Sequence, residues 1–314
     1  TIPRDLSVLT SLLYYLFGFA IPTFFISSGY FLMNREGVSW KYSQKKMFGI
    51  IKIVVIWNFL FLLVKLFKEL IFHETISYQV FTLAKASIGS FFQQGLLGHF
   101  WYLGAMMIIY FLVPLLTKLS KKVKLGILIL TGAIGIFIQF VSLILGWPIQ
   151  SIVVQTLRLW TWLFYFILGG FLGGKNKFVA NISFKIHGLI LLIVTCANIV
   201  FQTIVGHHIT MNGNILLAEY FYDSLFEIVW IYLMVTFILR INIPDKIQKN
   251  IINIARLTMG IYIIHFILRY GLIHFFTINS LCDAILYWLV VLAISAVVTL
   301  IIEKTFFKNF LTKI

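Results

Sequence analysis

Continuous apolar runs of about 20 residues recur from one end of the sequence to the other, and this repetition narrows the possible folds more than any other feature. A run of that length wound as an α-helix crosses a hydrocarbon layer about 30 Å thick, and inside lipid a helix satisfies its own backbone hydrogen bonds. Of the 314 residues, 61% are hydrophobic and 11% charged, with a mean hydropathy of +1.00. Soluble domains carry about 25% charged residues, so water is not the solvent of this chain. No polar stretch between the runs is large enough to build a soluble domain. The expected fold is therefore an all-α polytopic bundle of about nine transmembrane helices, with residues 1–314 as a single transmembrane domain.

Hydropathy places the spans near residues 9–33, 49–67, 99–117, 125–145, 157–173, 184–205, 222–241, 259–276 and 283–302. Between the second and third, residues 76–97 mix Phe81, Ile88, Phe91 and Phe92 with Gln79, Lys85, Gln93 and Gln94. That mixture is too polar for a lipid-facing span and suits an interfacial or re-entrant helix, expected to serve as a lid.

The formal net charge is +15, and its placement follows membrane orientation rather than nucleic-acid binding. Arg35, Lys41, Lys45 and Lys46 follow the first span, Lys118, Lys121, Lys122 and Lys124 the third, Lys175 and Lys177 the fifth, Lys246, Lys249 and Arg256 the seventh, and Lys304, Lys308 and Lys313 the ninth. The alternate loops at 146–156, 206–220 and 277–282 contain no Lys or Arg. The positive-inside rule puts the basic set in the cytoplasm, the N-terminus of this chain outside and its C-terminus inside. The exceptions are Lys65, Lys68 and Lys85, around the interfacial segment. The sequence opens Thr1-Ile2-Pro3 without an initiator Met. A preceding helix would restore an even span count; a cleaved signal peptide is the alternative expectation. Cys196 and Cys282 are far apart and support neither a disulfide framework nor a metal site, and none is expected.

Polar residues inside apolar runs are the functional candidates, because lipid makes them costly unless they have a partner or line a cavity. His265 and Arg269 share the eighth run, Glu227 sits near the start of the seventh, and Lys52 lies just inside the second. Glu227 is a candidate partner for Arg158 or Arg269. His99 opens the third run beside Trp101 and Tyr102, where an imidazole can take a proton from a hydroxyl and where Trp and Tyr also gather as ordinary interfacial residues. Ser27, Ser28 and Gly29 lack the adjacent base a nucleophile needs and are read as small residues for close helix approach; so are Gly169, Gly170, Gly173 and Gly174. His207 and His208 are read as loop.

Three stretches occur in order: 20–32 with Pro22, Phe24, Phe25 and Ser28-Gly29-Tyr30, then His99-Phe100-Trp101-Tyr102, then Gly260-Ile261-Tyr262-Ile263-Ile264-His265. Together they resemble the acyltransferase-3 family of bacterial membrane O-acyltransferases, and Arg158 leading through Trp160 and Trp162 to Gly169-Gly170 is similar to a fourth family run. The resemblance implies acyl transfer, acetyl in the usual case, from cytoplasmic acyl-CoA to a hydroxyl of a cell-surface or lipid-linked glycan. Acetyl-CoA would then be a donor substrate, with no permanently bound cofactor, membrane lipids as surroundings and no nucleic acid as partner. It implies His99 and His265 as catalytic, Trp101, Tyr102, Arg158 and Glu227 on the acceptor, and Lys45, Lys46 and Lys52 on the acyl donor. The family's first span carries an Arg followed about ten residues later by the histidine regarded as its principal catalytic base. No such pair precedes Ser28, so the resemblance implies that this helix lies outside residues 1–314 and that these residues alone turn over little. A glycan-precursor transporter without chemistry is the alternative, disfavoured because the halves show no repeat.

Overall fold

The computed structural model describes residues 8–71, 81–95, 97–173, 182–211, 214–278 and 280–305. The helices in chain order are α1 (Val8–Leu16), α2 (Ala20–Leu32), α3 (Trp40–Ile71), α4 (Phe81–Phe91), α5 (Trp101–Lys118), α6 (Lys121–Leu145), α7 (Leu159–Leu172), α8 (Phe184–His208), α9 (Leu225–Ile238), α10 (Asp245–Leu272) and α11 (Leu281–Glu303). A two-residue antiparallel ladder pairs Thr210–Met211 with Asn214–Ile215 after α8. Seven helical segments among the described residues are long and apolar enough to cross a membrane, and α7 and α9 are shorter apolar helices. These nine fall one for one on the nine hydropathy runs.

Local sequence explains the helix ends. Ser120, Ser183, Ser224 and Ser280 each cap a helix by accepting from the backbone N–H three residues on, and Asp283 reciprocates to Ser280 in a full capping box. Gly146 closes α6 at φ 63°, in the left-handed region that glycine enters without a Cβ penalty. The helices also have an inverted pattern. On α6, Thr131, Gly132, Gly135, Gln139 and Ser142 are buried, whereas Phe137, Phe140 and Ile144 face outward. Polar groups turn toward protein and large apolar ones toward the surroundings, as a lipid solvent demands.

The chain divides into two compact units. The first comprises Thr1–Ser39 and Leu112–Asn242. Its closest helix pair is α2 with α7, where a Cβ on Gly29 would lie 1.8 Å from the Phe166 carbonyl oxygen and one on Gly169 would lie 2.0 Å from that of Ile26. The backbones therefore touch at two reciprocal points. The small-residue reading of Gly29 and Gly169 is correct, since only glycine permits that approach. Packing of α8 on α9 and of α1 on α8 completes this unit.

The second unit comprises Trp40–Phe111 and Ile243–Ile314. Here α10 packs along α11, and α4 packs on α3. The described part of the interfacial segment is the eleven-residue α4, about 16 Å at about 1.5 Å per residue, too short to cross. Buried Ser90 on α4 bonds Asn58 on α3 at 3.1 Å, while residues 76–80 and 96 lie outside the described residues. Sharp turns follow, with Gln93 at φ 60° and Gly95 at φ 85°.

Three boundaries differ from expectation. The second span begins at Trp40 rather than near Gly49, and the eighth at Asp245 rather than near Met259, because α3 and α10 continue as helix through their basic ends. Hydropathy registers only the apolar part of such a helix, whereas lysines reach the headgroup region on flexible stems without ending it. His207 and His208, expected in a loop, end α8 instead, and His207 Nε2 lies 2.8 Å from Ser11 Oγ.

Candidate active site

The residues expected to act together gather in two polar centres, one within each unit. In the second unit, a 3-10 turn at Gly98–Phe100 introduces α5 and turns His99 toward α10. The His99 ring stacks on Phe266 with centroids 4.5 Å apart and 20° between planes, and meets Tyr262 at 5.3 Å edge-on. The His265 ring is 5.7 Å away and nearly perpendicular, at 75°. His265 and Phe266 follow Tyr262 by three and four residues, so one side of α10 supplies all of them. The Tyr262 hydroxyl donates to the His99 carbonyl, which fixes the turn against that face. Both ring nitrogens of His99 are buried and, among the described residues, neither meets hydrogen-bond geometry, although the Ile263 backbone acts on the ring. An orphaned pair of this kind is costly in a folded interior unless a substrate uses it.

His265 is wired differently. Its Nδ1 lies 3.1 Å from the Ile261 carbonyl, and since a carbonyl only accepts, Nδ1 carries the proton. In the neutral ring Nε2 then holds the lone pair, the form a proton acceptor needs. Tyr102 joins this centre, its ring 5.9 Å from that of Tyr262. Trp101 is 6% exposed and forms part of the core rather than an interfacial belt. Arg269, one turn beyond His265, holds its guanidinium 5.1 Å from the Phe266 ring.

The second unit also contains the three donor-site candidates, all on α3. Lys45 is exposed, Lys46 and Lys52 are half-buried, and the Lys46 ammonium lies 5.7 Å from the Tyr42 ring. Because α3 already starts at Trp40, Lys41, Lys45 and Lys52 fall within about 40° of one another on its circumference, with Lys46 about a third of a turn away.

In the first unit, irregular turns over 149–157 lead into α7 at Arg158, which is 3% exposed. Its Nε donates to the Val153 carbonyl at 2.9 Å and its guanidinium covers the Tyr220 ring at 5.1 Å. The expected pairing of Arg158 with Glu227 does not form. Glu219 is the carboxylate beside Arg158; burial pushes its carboxyl up from the ordinary glutamate value, and the guanidinium and Gln155 offset part of that rise. Glu227 is held by amides instead, its Oε2 accepting from Asn198 at 2.7 Å and Gln202 at 2.6 Å. The other oxygen, Oε1, is buried without a partner among the described residues. Asp223 ties α7 to the start of α9, accepting from Thr161 at 2.7 Å and Trp160 at 3.1 Å. The helices α7 and α9 have only 14 residues each, about 21 Å at about 1.5 Å per residue and short of a hydrocarbon layer about 30 Å thick. Irregular backbone within that layer survives only when protein surrounds it.

Thus His99, His265 and Tyr102 come together, while Arg158 and Glu227 belong to the other centre. Sequence reasoning passed over Glu219, Asp223, Asn198 and Gln202. One signal was present: three of only ten acidic residues, Glu219, Asp223 and Glu227, recur at four-residue intervals. Asn198 and Gln202, also four apart, bond each other at 3.2 Å on one face of α8.

No curated protein and no solved structure matches the chain. A family match does exist: the acyltransferase-3 family, described as an acyltransferase domain, covers residues 2–304, nearly the whole length. Its extent takes in both polar centres and every described helix. With seven long apolar helices and an orphaned histidine facing a second one, the chain is a multi-pass membrane acyltransferase that belongs to the acyltransferase-3 family.

Proposed function

We propose that the protein transfers an acyl group, acetyl in the simplest case, from cytoplasmic acyl-CoA to a hydroxyl of a cell-surface or lipid-linked glycan in a bacterial cell membrane. The observation that carries this reading is the buried, unpartnered imidazole of His99 set 5.7 Å from the ring of His265. The acceptor oxygen attacks the thioester carbonyl carbon as its proton passes to a histidine nitrogen. His265 Nε2 is the better placed acceptor, because its Nδ1 is already committed to Ile261. When the tetrahedral intermediate collapses, the carbon–sulfur bond breaks and the thiolate takes that proton back, leaving an ester and free CoA. Tyr262 acts as a positioning residue through the His99 carbonyl. Lys45, Lys46 and Lys52 answer the several phosphates of CoA from the basic end of α3, which the charge pattern assigns to the cytoplasm. Trp101, Tyr102, Arg158 and Glu227 belong to acceptor recognition in this scheme.

The test is transfer of label from acetyl-CoA to membrane glycan by the full-length protein, against His99→Ala and His265→Ala. Loss of a positioned acid or base lowers the rate by about 10²- to 10⁴-fold. Undiminished transfer by both variants removes the site assignment.

A further inference from the structure

The histidine centre contains an imbalance of charge that the acyl-transfer chemistry does not account for. A histidine that works as a base is ordinarily oriented by a carboxylate, which also stabilises the imidazolium formed during turnover. Around His99 and His265 the rings belong to Phe100, Tyr102, Tyr262 and Phe266, and the charged group is Arg269. Both histidines feel the Arg269 guanidinium electrostatically, and among the described residues no acidic side chain acts on either. The ion pair recorded among the described residues of this unit joins Arg256 to Glu303, leaving Arg269 without a carboxylate there.

Arg269 is nonetheless held in place. Its guanidinium lies 5.1 Å from the Phe266 ring, and Phe266 stacks at 4.5 Å on His99. Phe266 thus links Arg269 to His99 against one face of α10, and the guanidinium charge acts on the His99 ring electrostatically. Cation–aromatic stacking leaves the N–H fork of arginine free to take a carboxylate or phosphate in two parallel bonds. A lysine tethered in the same place would offer a point charge without that directional preference.

We infer that Arg269 binds an anionic group, a carboxylate or phosphate ester, carried by the acyl acceptor next to the hydroxyl that is acylated. The inference rests on the acyltransferase reading of the His99 and His265 centre. It makes Arg269 a specificity residue: a charged acceptor supplies a negative charge that the described residues around this centre do not, and a neutral acceptor leaves two histidines and an arginine uncompensated when the base takes up its proton.

The experiment measures binding without any acyl donor, using full-length protein in phosphatidylcholine nanodiscs. The probes are two matched pairs, glucuronate with glucose and glycerol 1-phosphate with glycerol. The wild type is expected to prefer the charged member of at least one pair by about tenfold, as one charge-assisted bidentate contact implies. Arg269→Gln should bring that ratio to about one, whereas Arg269→Lys, which keeps the charge, should retain a part of it. A wild-type ratio near one for both pairs, or an Arg269→Gln variant that keeps the wild-type ratio, overturns the inference. So does disappearance of the preference when phosphatidylglycerol replaces half of the lipid, because Arg269 would then be serving lipid headgroups. If the preference stands but labelled acetyl-CoA gives no transfer, the anion site survives and the acyl-transfer reading fails.

Discussion

At the scale of single residues, what mattered was whether a polar side chain in an apolar run has a partner. His265 stood out in the sequence because an imidazole is expensive in lipid, and His99 because of its place in the family resemblance; the two do face each other. Their wiring was not legible. That His265 commits Nδ1 to Ile261 while His99 commits neither nitrogen depends on where a 3-10 turn sets one ring against α10. Glu227 was legible as a buried acid, but its partners were mistaken: Asn198 and Gln202 on α8 reach it, not an arginine. Charge complementarity suggests arginine as partner for any carboxylate, and only the packing of α8 on α9 brings the amides closer. The lysines on α3 make a further prediction at this scale. Lys45→Ala and Lys52→Ala should each raise the KM for acyl-CoA about fivefold to tenfold with kcat little changed, since a phosphate contact far from the reacting carbon contributes binding alone. Steady-state transfer rates over a range of acetyl-CoA concentrations check this, and a loss confined to kcat would contradict donor binding.

At the scale of elements, helix existence was written in the hydropathy and helix length was not. All nine apolar runs became helices, yet α3 reaches 32 residues and α10 reaches 28, while α7 and α9 stop at 14. Long helices carry basic ends that a hydropathy window discounts, and short ones start late because 3-10 turns at 149–157 and 218–220 are held by side chains from elsewhere. The contact of α2 with α7 gives a prediction at this level. Gly169→Ala places a methyl group within 2.0 Å of the Ile26 carbonyl oxygen, so the helices must separate. Overpacking of this kind costs about 1–3 kcal/mol or somewhat more when backbone is the obstacle. Thermal unfolding in detergent, followed by loss of the monodisperse chromatographic peak, should show a lowered midpoint for Gly169→Ala and for Gly29→Ala. By contrast Gly126→Ala, where nothing lies within 4 Å of the added group, should leave it unchanged.

At the scale of the whole molecule, the family match over residues 2–304 and the inverted burial of polar and apolar side chains agree on a membrane enzyme. Orientation makes the prediction here. With Cys196 and Cys282 replaced by alanine, Lys122→Cys in the first turn of α6 should react with a membrane-impermeant maleimide only after cells are opened. Thr277→Cys, in a loop free of Lys and Arg, should react in intact cells. The reverse pattern would invert the topology and place the donor lysines on the wrong side of the membrane.

The sequence by itself determined the solvent, the class of fold and the number of apolar helices, because each follows from the cost of placing a polar or apolar group in lipid, a property local to the chain; the two histidines were singled out by that cost for His265 and by the family resemblance for His99. Tertiary structure decided which polar groups meet: His99 with His265, Glu227 with Asn198 and Gln202, Arg158 beside Glu219. Those meetings join residues dozens to more than a hundred positions apart, and they depend on backbone contacts such as Gly29 against Phe166, which no local periodicity encodes.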